Sequence, residues 1–199
     1  MVRFAIEHVL AEPQLSQAWR LYADAFAQLR TAAMQRHVMS RPEFDAVMAD
    51  RRVEKHLAID NGASGNSAGG NSATDNGAGE TITGLATFTN VLEAMPLVSP
   101  EFFAHRWPDQ YARHQVWYLG FFAIHEEYRS TGIFETVIAQ MWAHVQAGGG
   151  VAALDVCGVN AQLGLPQAIT RTLRELSPEV LAGQVDTQTY WAFELRPRS

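Results

Sequence analysis

The chain has 199 residues, 47% of them apolar and 18% charged, with a formal net charge of −6 and a pI near 5.6. This is the composition of one ordinary globular domain with a sizeable core, and it excludes disordered and fibrous classes. No Lys/Arg cluster offsets the acidic total, so neither a nucleic acid nor another polyanion is expected as a partner.

Cys157 is the sole cysteine, which rules out an internal disulfide and any multi-cysteine metal site. It lies in an apolar run and reads as a buried, inert thiol. The start, Met1-Val2-Arg3-Phe4, lacks the pattern of a signal peptide, and no segment approaches the roughly 18 apolar residues of a membrane helix. The expectation is a cytoplasmic protein with no membrane partner.

Residues 3–10 read as a first strand. Pro13 and Ser16 open a helix on which Leu15, Trp19, Tyr22, Phe26 and Leu29 form one apolar stripe at spacings of three and four. A shorter helix follows from Pro42, with Phe44, Val47 and Met48 inward, and Val53 to Asp60 reads as a strand. Residues 61–79 contain only Gly, Ala, Ser, Asn, Thr and Asp, which bury nothing and predict a mobile loop. Because Thr81 to Phe88 alternates like a strand, the loop reads as the tip of an elongated hairpin rather than an interdomain linker. The G-x-S-x-G pattern at Gly65 to Gly69 lacks the flanking strand and helix of a nucleophile elbow and carries no weight.

Residues 91–115 form an apolar insertion, with Pro100 as a helix start and Phe102, Phe103, Trp107 and Tyr111 among its aromatics. They either pack over the core or shape an acceptor pocket. Val116 to Ile124 is apolar without alternation and predicts a central strand covered on both faces. A helix from about Gly132 to Gln146 follows, then Gly148-Gly149-Gly150 and a strand from Val151 to Val156. Pro166 to Leu176 reads as a helix, and Val180 to Val185 and Tyr190 to Leu195 as two closing strands. The order βααβββαβαββ predicts a mixed α/β domain, a central mixed sheet flanked by helices.

The turn from His125 to Phe134 joins the apolar strand to the amphipathic helix. A helix N-terminus exposes unpaired N–H groups and partial positive charge, and so can hold a phosphate. Ser130 and Thr131 can cap or donate, Gly132 permits close approach, and Arg129 adds positive charge.

The same turn resembles the cofactor-binding motif of the GNAT superfamily of acyl-CoA-dependent N-acetyltransferases, Q/R-x-x-G-x-G/A after a strand reading L-A-V-x-P-x-Y-R. Phe122-Ala123-Ile124 is similar to the L-A-V portion, and Tyr128-Arg129 stand at the expected distance. Arg129 matches the Q/R position and Gly132 the first glycine. The predicted order of elements follows the GNAT fold over nearly the whole chain, residues 1–199 as a single domain. The resemblance implies acetyl-CoA or another acyl-CoA as co-substrate, with backbone groups of Phe122 and Ile124 on the pantetheine arm and the amides of Arg129, Ser130, Thr131, Gly132, Ile133 and Phe134 on the pyrophosphate. It implies acyl transfer to a small amine by direct attack in a ternary complex; a homodimer is compatible with it.

Three departures stand out. Phe134 replaces the second small residue of the motif; its phase with Ile138 and Trp142 favours a place in the core, the alternative being a side chain that points at the cofactor and hinders it. The family's glutamate on this strand falls at Gly120. The N-x-x-A-x-x-x-Y landmark has Asn160 and Ala168 in place but reaches Thr172 where the tyrosine belongs. For acid and base chemistry there remain Glu126 and His125 beside the turn, with Glu127 and His114 as further titratable groups; each has an equally ordinary structural reading. The seven histidines show no metal-binding spacing, so no metal is expected. Two other readings stay open: a ligand-binding GNAT-fold protein without catalysis, and an interaction module presenting Phe102, Phe103 and Trp107 as an exposed patch.

Overall fold

The computed structural model describes residues 1–32, 38–62, 79–96 and 98–193. In chain order the elements are β1 (Val2–Glu7), α1 (Gln14–Ala25), α2 (Leu29–Ala32), α3 (Arg41–Ala49), β2 (Glu54–Asp60), β3 (Thr81–Thr89), α4 (Pro100–Arg106), α5 (Pro108–Ala112), β4 (Val116–Ile124), α6 (Ile133–Gly148), β5 (Val151–Leu154), α7 (Gly158–Gln162) and α8 (Leu165–Leu176).

The strands form one sheet in the order β1-β2-β3-β4-β5. The first four pair antiparallel, and β5 runs parallel to β4 because the α6 crossover returns the chain to the same end. Asp60 pairs with Thr81, so β2 and β3 are the arms of a hairpin. Of the predicted mobile loop at 61–79, residues 63–78, with the G-x-S-x-G pattern, lie outside the described residues.

Each helix forms where the sequence supplies both an apolar stripe and an end signal. The stripe of α1 buries Trp19, Tyr22 and Phe26 against Phe44 of α3 and Phe121 of β4, with Tyr22 and Phe121 ring centroids 4.8 Å apart. Ser40 and Glu43 close a capping box at the start of α3, Glu43 Oε2 accepting from the Ser40 amide at 2.7 Å. Helix α4 begins as expected at Pro100, with Ser99 Oγ accepting from the Phe102 amide. On the other face, α6 lays Ile133, Val137, Met141 and Val145 over Ala58, Ala86, Phe88 and Leu119. It ends where Gly149 takes φ +61°, the left-handed conformation a helix C-terminus favours.

Phe103 is buried with Leu92, Val116 and Tyr118, and stacks on Trp107 at 5.9 Å. Phe102 is the exposed member of the trio, so these aromatics pack over the core and form no continuous surface patch.

The two closing strands are a correction. Residues 178–193 have no regular structure, and Leu181 (99% exposed), Trp191 (77%) and Phe193 (91%) face solvent. A strand is stabilised by a paired neighbour, and alternation in sequence does not supply one; the adjacent strand, β5, offers only four residues of ladder. Residues 194 and 195 of the last predicted strand lie outside the described residues. No helix among the described residues is long and apolar enough to cross a membrane.

Candidate functional site

The site is built on the length mismatch between β4 and β5. Strand β4 pairs with β3 out to Ile124, whereas its pairing with β5 runs only from Val116 to Leu119, opposite Val151 to Leu154. Residues 120–124 therefore have no strand partner on the β5 side, and the two strands part like a fork. The His125 amide donates to the Thr83 carbonyl of β3 at 2.8 Å. By strand alternation, the backbone groups of Ala123 also point toward β3, and those of Phe122 and Ile124 point into the fork.

A bulge marks the parting. Thr87 faces Phe121 and Phe88 faces Leu119, leaving Gly120 as the extra residue. A Cβ at Gly120 would collide with Cε of Met95 and lie 2.7 Å from Thr87 Oγ1, so any side chain there must displace Met95. Thr87 Oγ1 is buried and has no hydrogen-bond partner among the described residues.

Past β4 the chain makes a short 3-10 turn at Glu126–Tyr128 and enters α6. Tyr128 holds this turn to the sheet, its phenol donating to Asp60 Oδ2 at 2.6 Å. Thr131 Oγ1 donates to the Tyr128 carbonyl at 2.6 Å. Ser130 and Gly132 both take positive φ, +70° and +82°. For Ser130 that conformation is uncommon, and such local strain concentrates at functional turns. The Gly132 carbonyl accepts both the Thr136 amide at 3.0 Å and its hydroxyl at 2.8 Å, closing the first turn of α6. The leading amides of the helix have no intrahelical acceptor and point outward from the turn, where Arg129 is exposed.

Ile133 and Phe134 set how α6 meets the sheet. Ile133 is buried on Gly84, and Phe134 turns inward, its ring 5.4 Å from that of Phe122. Both rings are half-buried and pack against the edge of the core beneath the helix. Around Gly132, a Cβ would meet nothing within 4 Å, so the turn is open.

The remaining sequence candidates lie apart. His125 and Glu126 are exposed at the turn, six residues and roughly 20 Å along the strand from the fork apex. Asn160 is half-buried in α7, and Thr172 is buried in α8. His114 is exposed before β4 with φ +54°. Two groups at the apex escaped the sequence: the buried Tyr118 donates from its phenol to Asp155 Oδ1 at 2.7 Å. Tyr118 sat unmarked in an apolar strand; the one signal was a lone aspartate directly after the apolar run of β5. Among the described residues no group of three or more His, Cys, Asp or Glu is disposed to hold a metal ion.

No protein-family model and no curated protein matches the chain. Solved structures do. The chain is similar to a mutant of the BH1408 protein from Bacillus halodurans, with TM-score 0.51 and 11% identity over 97% of this chain and 99% of that one. It is also similar to a transcriptional regulator from Bacillus halodurans C-125, with TM-score 0.50 and 14% identity over 95% and 100%. An aminoglycoside acetyltransferase from an uncultured soil metagenomic sample aligns at TM-score 0.49 and 14% identity over 97% of each chain. At such identities the likeness concerns the fold. In this chain that fold consists of a mixed sheet, a β4–β5 pair that parts like a fork and a helix rising from Gly132.

Proposed function

We propose that the chain is an N-acyltransferase that takes an acetyl or other acyl group from acyl-CoA to a small amine. The observation that carries this reading is the continuous path from fork to turn. The unpaired backbone of Phe122 and Ile124 suits an extended amide-bearing arm, and the path ends on outward amides of α6 beside Arg129, which suit a pyrophosphate. The open space around Gly132 supports the fit of a pyrophosphate at this turn. By resemblance Asn160, on α7 after β5, is a further candidate contact for the same arm. The proposal keeps His125 and Glu126 as the titratable groups bordering the turn.

Acyl-CoA supplies a thioester activated for acyl transfer. The amine nitrogen forms the C–N bond as the C–S bond breaks. Two protons leave an initially protonated amine, one before attack and one with the thiolate as acceptor. The chain's contribution is to hold the two substrates in line, which by itself supplies much of an acceleration. Gly120 and Thr172 favour a second reading, binding without catalysis, since neither offers the acid or base that the resemblance implies.

The test is calorimetric titration of acetyl-CoA into the wild type and Gly132→Asp, followed by a thiol-release assay over a panel of amines. Binding that is lost in the variant, with thiol release on adding an amine, supports the transferase. Binding without release for every amine supports the second reading, and no binding by the wild type refutes both.

A further inference from the structure

The turn into α6 is held to the sheet at two points. At its far end Ile133 is buried on Gly84 of β3. At its near end the half-buried Tyr128 donates its phenol to Asp60 Oδ2 at 2.6 Å. Asp60 is the last residue of β2, paired with Val2 of β1 and Thr81 of β3, so its backbone is fixed in the sheet. Its other oxygen, Oδ1, accepts the Met1 ammonium at 2.9 Å. The bond from Tyr128 holds the Asp60 carboxyl below its ordinary pKa, so an ionised acceptor faces a neutral phenol.

Between the two anchors the chain needs outside support. Arg129, Ser130 and Thr131 are exposed, and Ser130 and Gly132 both lie in the left-handed region, at φ +70° and +82°. A non-glycine residue persists there only where its surroundings over-determine it. The segment closes on one atom, the Tyr128 carbonyl oxygen, which accepts the Thr131 amide at 3.3 Å and the Thr131 hydroxyl at 2.6 Å. Whatever places Tyr128 therefore places the segment that leads into the first amides of α6.

We infer that Asp60 is a positioning residue for this turn, acting through Tyr128 to aim the leading amides of α6 at a pyrophosphate. The assignment rests on the acyl-CoA reading above, and it falls outside the motif from Phe122 to Phe134 that carries the resemblance. The sign of the effect separates it from simple electrostatics. A carboxylate acting only through its charge repels a pyrophosphate, so removing it would tighten binding. A carboxylate that holds the turn makes binding weaker when it is removed.

The test is calorimetric titration of acetyl-CoA into the full chain, Asp60→Ala, Asp60→Asn, Tyr128→Phe and the double variant Asp60→Ala/Tyr128→Phe. Asparagine keeps an acceptor for the phenol and serves as the conservative rescue. Tyr128→Phe keeps the ring and leaves the Met1–Asp60 pair in place, so it isolates the phenol. Asp60→Ala and Tyr128→Phe are each expected to bind about tenfold more weakly than the wild type. Asp60→Asn should fall between, and the double variant should lose no more than either single change. Backbone amide NMR spectra read the placement directly: beyond the neighbours of each substituted residue, both single variants should shift the amides of residues 129–133 in one shared pattern. Unchanged or tighter binding in Asp60→Ala overturns the assignment. So do a loss that Tyr128→Phe does not share, additive losses in the double variant, or amide shifts spread across the sheet. Absence of acetyl-CoA binding in the wild type overturns it as well, by removing the reading on which it rests, whereas binding that every variant retains refutes the positioning role alone.

Discussion

Gly84 on β3 is the point where the turn into α6 rests on the sheet, and replacing it should disturb stability and the proposed binding together. A Cβ there would lie 3.0 Å from Cγ2 of Ile133 and 3.1 Å from Cβ of Ala58. Carbon atoms pack best about 3.5–4.0 Å apart, so even alanine must move its neighbours by roughly half an ångström. Ala58 is held inside the sheet, which leaves Ile133, the first residue of α6, as the group that yields. Gly84→Val adds two further methyl groups, and overpacking of this kind costs about 1–3 kcal/mol. For a chain of this length that lowers Tm by about 2–12 °C. Lifting Ile133 also tilts the leading amides of α6, so acetyl-CoA should bind about tenfold more weakly, close to 1.4 kcal/mol. Thermal unfolding and calorimetric titration read the two effects separately. Gly183→Ala is the control, since its Cβ would meet nothing within 4 Å. Ile133→Ala alone should cost about 2–5 kcal/mol through its cavity. Combined with Gly84→Val, which partly refills that space, it should cost less than the sum by at least about 1 kcal/mol. An unchanged Tm in Gly84→Val, or additivity within about 0.5 kcal/mol, refutes the steric argument.

Lys55 is fully buried, its ammonium donating to the carbonyls of His8, Asp50 and Val53, and burial pushes its pKa down to about 8 from 10.5. The unfolded chain therefore holds the proton to higher pH. Relative to Lys55→Met, wild-type stability should rise between about pH 8 and 10.5, by at most about 1.4 kcal/mol per unit, and denaturant unfolding at several pH values should show no such relative rise if the assignment is wrong. Gly120→Ala should destabilise by about 1–3 kcal/mol through Met95 and Thr87, and Met95→Ala in the same chain should recover part of the loss; thermal melts decide it. Ser177 is buried and its Oγ accepts both Trp142 Nε1 at 2.8 Å and Gln146 Nε2 at 2.7 Å. Ser177→Ala leaves two donors unpaired at a cost of about 1–3 kcal/mol, and hydrogen exchange should show α8 losing protection before α6.

Periodicity and end signals are local properties, and the elements they marked formed close to where they were expected. The stripe from Leu15 to Phe26, the Ser-Arg-Pro start of α3, the Ser-Pro start of α4, the apolar run of β4 and the glycines after α6 each state their own conformation. So does the turn at Gly132, because a helix N-terminus and a left-handed glycine are defined within a few residues. What needed the tertiary structure was pairing. Nothing in Val116 to Ile124 says that β5 accompanies it only as far as Leu119, since the parting arises from the bulge at Gly120 and the shortness of β5. Nothing in Val180 to Val185 says that its alternation finds no neighbouring edge. The Tyr118–Asp155 contact joins residues 37 positions apart in sequence, across a parallel pair that exists only because α6 carries the chain back. Local sequence determined the elements and the turn into α6. The fork and the carboxylate at its apex were decided by long-range strand register, which no window of sequence contains.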